Sequence, residues 1–127
     1  MRKSFPLVVN GQRATYAKGV VADGRYIFLS GVLSTEGSMG DQATRVWDEI
    51  RARLADLGGK PENIVQRMTF VTDLLAWRAE GAPRQIEWLQ KNAPALLEDQ
   101  PSSTLVQIVA LAQQGAMVEI QVIAVVE

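Results

Sequence analysis

Glu119 is the only charged residue in the run 116–126, where it stands among Met117, Ile120, Val122 and Ile123. Such a carboxylate either meets solvent at a rim, paired with a lysine or arginine, or lines a cleft. In a cleft, burial raises its pKa and suits it to hold or activate a water. Tyr16 follows the polar stretch 12–15 and precedes a strand, so its hydroxyl can enter a cleft or simply tip a packed ring. Ser30 and Gly31 close an apolar strand. Glycine there either bends the strand end or lets a ligand approach exposed backbone N–H groups.

The chain has no histidine and no cysteine. That removes Ser-His-Asp triads, thiol nucleophiles, disulfides and most transition-metal sites. Catalysis must then rest on carboxylates, tyrosine, lysine, arginine, hydroxyls or backbone groups, with no metal and no cofactor expected. A net charge of −1 offers no basic field for nucleic acid or an anionic membrane. The N-terminal residues 1–6 show no cleavage signature, and no run approaches the roughly 20 apolar residues of a membrane span. The expected compartment is the cytoplasm.

These side chains need a scaffold, and 127 residues with 47% hydrophobic and 21% charged content suit one soluble domain, residues 1–127. Residues 5–10 read as a strand closed by Asn10-Gly11. Residues 18–22 and 25–33 read as two strands of a hairpin around Asp23-Gly24. The helix 41–57 carries an apolar stripe of Ala43, Val46, Trp47, Ile50, Leu54 and Leu57, with Asp41 at its start and Gly58-Gly59 at its end. A β-rich strand spans 64–72. A second helix falls between 77 and 92, with Gly81 and Pro83 disturbing its start and Ile86, Trp88 and Leu89 as its core edge. Two long strands, 103–111 and 116–126, are joined across Gln113-Gln114-Gly115. The order β-β-β-α-β-α-β-β predicts an α+β domain with both helices on one face of the sheet. The last two strands are apolar on both faces, whereas a sheet with one wet face alternates. Two helices cover one face only, so a second copy of the chain is expected on the other.

Segments in order along nearly the whole chain resemble the Rid (YjgF-type) family. They are Tyr16-Ala17-Lys18-Gly19-Val20, Tyr26-Ile27-Phe28-Leu29-Ser30-Gly31, Gln42 with Leu57-Gly58, the strand 64–73, Gln100-Pro101-Ser102-Ser103-Thr104-Leu105-Val106, and 118–125. The resemblance implies a chorismate-mutase-like fold with a mixed sheet, assembled as a homotrimer around a central β-barrel with ligand clefts between subunits. It also implies metal-free hydrolysis of a small imine or enamine to a ketone and ammonia. Glu119 then matches a water-orienting glutamate, and Tyr16 and Gly31 match cleft positions.

Ser103 departs from that pattern. The family's imine deaminases carry an arginine here that grips the substrate carboxylate, a bidentate match no serine can make. Leu105, the next residue on that side, adds apolar wall. Arg13, Arg67 and Arg84 are the cations that could substitute, and each reads as a solvated surface residue. Trp47, Trp77 and Trp88 read as core. The cleft is therefore expected to be less charged, and its substrate altered. The alternative is a non-catalytic module that binds an apolar metabolite or acts in chaperone-like protein contacts. A ribonuclease-like activity, also attached to this family, is disfavoured by the charge and the missing histidine.

Overall fold

Asn10 and Gly11 both take positive φ, 51° and 75°, the geometry of a two-residue hairpin turn. They join β1 (Arg2–Val9) to β2 (Gln12–Ala22) in a separate two-stranded antiparallel sheet. A computed structural model describes all residues, 1–127. The second sheet is mixed and runs β3 (Arg25–Phe28), β7 (Val118–Val126), β5 (Ile64–Val71), β6 (Ser102–Gln107), with the short β4 (Val32–Leu33) also on β7. Only β5 and β6 are parallel; the other pairs are antiparallel.

The expected hairpin at Asp23-Gly24 does not form. β2 pairs back onto β1, and β3 leaves to pair with β7. Gly24 takes φ 146°, and a Cβ there would stand 2.2 Å from the Val126 carbonyl oxygen. The glycine thus serves a close crossing onto the end of β7 rather than a tight turn. The polar stretch 12–15 belongs to β2 because it pairs with the end of β1. The last two strands are shorter than expected and are not neighbours, since β5 lies between them.

One face of the main sheet is covered by α1 (Met39–Asp56) and by a helical run made of α2 (Leu74–Ala76), a π turn (Trp77–Gly81) and α3 (Ala82–Asn92). Ser38 is the N-cap of α1, with Asp41 as its first-turn acid. It accepts from the Asp41 N–H while the Asp41 side chain accepts from the Ser38 N–H. Those contacts, with Arg84 beside it, hold the Asp41 carboxyl below its ordinary pKa. Ala43, Val46, Trp47, Ile50 and Leu54 are buried as the stripe requires, whereas Leu57 lies exposed past the helix end. Gly81 does not break the second helix. A Cβ there would meet the Trp77 ring at 2.1 Å, so the glycine makes room for the indole one turn back.

The helix-facing side of β7 (Val118, Ile120, Val122, Ala124) completes the core. The opposite side of the sheet presents Tyr26, Phe28, Met68, Phe70, Val106 and Ile123, placed together by their pairing registers. Phe28 is 68% exposed. No helix is long and apolar enough to cross a membrane.

Candidate functional site

Strand β5 holds the least expected residue of the site. Between Ile64 and Gln66 its pairing with β7 shifts by one residue. Beyond that bulge Arg67, Thr69 and Val71 lie opposite Val122, Ile120 and Val118, on the helix side of the sheet. Arg67 is only 7% exposed, which corrects its expected place on the surface. Arg13 and Arg84 are at the surface, paired with Glu98 and Asp41.

In the parallel ladder Arg67 stands beside Ser103. Its Nε donates to Ser103 Oγ at 3.3 Å and its Nη2 to the Thr15 carbonyl at 3.4 Å. Both bonds are long, and no carboxylate pairs with it. Burial alone lowers its pKa from the ordinary guanidinium range to about 10, so it stays a cation at neutral pH.

Arg67 lines a cleft of about 730 Å³, within the usual size of small-molecule sites. The sheet contributes Arg67, Thr69, Ser103 and Leu105, and β2 contributes Tyr16. Trp77, Ile86 and Leu89 from the helices and Leu96 and Leu97 from α4 (Ala95–Glu98) form the apolar wall. Trp77 is therefore a wall residue as well as a core one, and Ile86 faces the cleft instead of the core. Arg78 stands exposed at the same cleft, and no Asp or Glu lines it. The expectation of a less charged pocket is corrected on this point. A guanidinium stands on the strand adjacent to Ser103.

The walls are tied down by the hairpin. Arg2 donates to the Asp99 carboxylate at 3.0 Å and to the carbonyls of Ile64 and Asp99. Ser4 Oγ donates to the Gln100 carbonyl, Gln100 Nε2 to the Ala14 carbonyl, and the Ala17 N–H to the Pro101 carbonyl. These contacts fix β2 against the start of β6 and so place Tyr16 at the cleft edge.

Glu119 and Gly31 lie elsewhere, on the open face of the sheet. Glu119 sits opposite Leu33 on one side and Phe70 on the other. Its position is set from within: the buried Gln42 accepts from the Met117 N–H at 2.8 Å and donates to the Gly115 carbonyl at 3.0 Å. A Cβ on Gly31 would stand 2.4 Å from Glu119 Oε2, so the carboxylate rests against the Gly31 backbone. Ser30 is exposed beside it. Glu119 forms no ion pair within the chain. The structure thus gathers Tyr16, Ser103 and Leu105 into one group and Ser30, Gly31 and Glu119 into another. Ser103 and Leu105 lie on the helix side of the main sheet and Glu119 on its other side, while β2 brings Tyr16 to the helix-side cleft, so the two groups do not share a cleft within one chain.

Two expectations follow. Gly31→Ala should fold normally, because the carboxylate end it meets is flexible. It should move that carboxylate by about 1 Å and cost roughly 10²-fold in any turnover Glu119 supports, read from steady-state kinetics. Arg67→Met should leave stability unchanged or raise it by about 1–4 kcal/mol, because it removes a buried unpaired charge. The sign of the pH dependence is fixed. With the folded pKa depressed to about 10, the cost of the cation is full below that pH and is relieved as pH rises above it towards the ordinary guanidinium value. Urea titrations of both proteins at neutral pH measure the difference.

The profile of the family described as Endoribonuclease L-PSP matches residues 10–126. Among solved structures, a YjgF-family protein from Neisseria meningitidis shares 25% identity and a TM-score of 0.68, covering 98% of this chain and 94% of that one. A YjgF-family member from Mycobacterium tuberculosis shares 21% identity and a TM-score of 0.69, covering 99% and 100%. TdcF of E. coli, solved with bound serine, shares 21% identity and a TM-score of 0.70, covering 98% and 94%. No curated protein matches the sequence.

Proposed function

The chain belongs to the Endoribonuclease L-PSP (YjgF/Rid) family, and from that premise we propose that it hydrolyses a small imine or enamine in clefts between the subunits of a homotrimer. The observation that carries the reading is the Glu119 carboxylate, unpaired and seated against the Gly31 backbone on an apolar face. Apposing that face to the edge of β6 in a neighbouring copy brings Glu119 and Gly31 of one subunit to the Tyr16–Ser103–Leu105 wall of the next. Covering the aromatic face, which carries Tyr26 and Phe28, is the driving force for such an assembly. The relative from E. coli binds a small amino acid, serine, which agrees with a small-molecule ligand.

In this reaction Glu119 takes a proton from water as the water oxygen bonds to the imine carbon. That proton passes to nitrogen to give a carbinolamine; the hydroxyl proton then moves to nitrogen through the same carboxylate as the C=O bond forms and the C–N bond breaks, and a ketone and ammonia leave. A positioned base of this kind contributes about 10²–10⁴-fold. The separation of the two residue groups in one chain favours a second reading, a ligand-binding module without turnover. Ammonia release from a panel of freshly generated imines decides between them. Turnover by the wild-type protein supports the hydrolase; turnover that appears only after Ser103→Arg supports the binding module. Cleavage of RNA is poorly supported by a chain with net charge −1 and no histidine. Failure to retain RNA at low salt would remove that reading.

A further inference from the structure

We propose that Arg67 is the anion-receiving residue of the cleft, and that the ligand is an organic carboxylate with an apolar body. The inference rests on the cleft being the ligand site of the proposed reaction, but it is carried by its own observations. Arg67 is buried, bonded only weakly to Ser103 Oγ and the Thr15 carbonyl, and has no hydrogen bond at Nη1. The side chain that carries this unbonded nitrogen lines the cleft.

A buried cation without a counter-ion is costly, and one that lines a cleft is a candidate ligand-binding group. A planar guanidinium with a free edge suits a carboxylate, which it meets through two parallel bonds. Arg78 adds a second positive charge at the same cleft, and no acid of the same chain lines it. Around this charge the walls are Trp77, Leu89, Leu96, Leu97 and Leu105. They give a hydrocarbon or aryl body an apolar surface to lie against. Ser103 takes a new role here: its small side chain leaves room for the arginine of the next strand and accepts from its Nε.

The test is calorimetric binding of phenylacetate, with phenylacetamide as its neutral counterpart and inorganic phosphate as a second anion. The wild-type protein should bind phenylacetate, and should bind the amide and phosphate at least tenfold more weakly. Arg67→Met should lose roughly 30-fold or more in phenylacetate affinity while remaining folded. Arg67→Lys keeps the charge but not the fork, and should lose about tenfold. The double variant Arg67→Met/Ser103→Arg returns a guanidinium from the neighbouring strand and should regain acid over amide discrimination. Equal binding of acid and amide, preference for phosphate, no binding of phenylacetate, or full affinity in Arg67→Met overturns the proposal. If Arg67→Met does not fold, undiminished affinity in Arg67→Lys overturns it. Binding is read without turnover, so Arg67-dependent binding by a protein that releases no ammonia would sink the hydrolase and keep this inference. Turnover undisturbed by Arg67→Met would do the reverse.

Discussion

Glu119→Gln is expected to lower imine hydrolysis by roughly 10²–10⁴-fold while the melting temperature stays where it was. The amide keeps the shape of the carboxylate and its seat against Gly31, but it cannot take a proton from water. Little stability is at stake, because Glu119 forms no ion pair within the chain. KM should change much less than kcat, since the body of the ligand lies against the other wall. A loss confined to KM would instead make Glu119 a binding residue. The comparison needs steady-state ammonia release and one thermal melt.

Trp47→Ala is expected to be the most damaging single change to the fold. The indole is fully buried, packed at a tilt against Trp88 at a centroid distance of 5.3 Å, and donates from Nε1 to Gln85 Oε1 at 2.9 Å. Truncation leaves a cavity, worth about 3–5 kcal/mol. It also orphans a buried acceptor, for about 1–3 kcal/mol more. Against a total of about 5–15 kcal/mol for a typical domain, the variant should be largely unfolded or melt far below the parent. Gln85 also lines the cleft, so any folded fraction should bind ligand poorly. Trp47→Phe, which keeps most of the volume and loses only the donor, should fall in between. Urea midpoints rank the three proteins.

Much of this was legible along the chain. The stripe on α1 is a 3.6-residue repeat and needed no partner to be read. The two apolar faces of β7 also held: Val118, Ile120, Val122 and Ala124 lie in the core, and on the reverse side Ile123 is part-exposed while Val125 is buried. What escaped depends on partners distant in sequence. Asp23-Gly24 carries a hairpin signal, yet the close approach of Gly24 to Val126 is a contact between opposite ends of the chain. Arg67 escaped for a different reason. Simple alternation puts Ile64 and Gln66 on one face, and the bulge between them reverses it, turning an arginine inward. A signal was nonetheless present, because Arg67 is the one charged residue in the strand 64–72, as Glu119 is in 116–126. The same reasoning that selected the carboxylate would have selected the arginine.

The central claim is that each working cleft takes one wall from each of two subunits, since Glu119 and Arg67 stand on opposite faces of the same sheet. Mixing subunits tests it directly. Glu119→Gln and Arg67→Met proteins, each deficient alone, are unfolded together in equal amounts, refolded, and assayed for ammonia release. If walls are shared, random assembly regenerates intact clefts and recovers about a quarter of the wild-type rate. If both walls of every site belong to one chain, the mixture does no better than the mean of its two inactive parents, and the account fails.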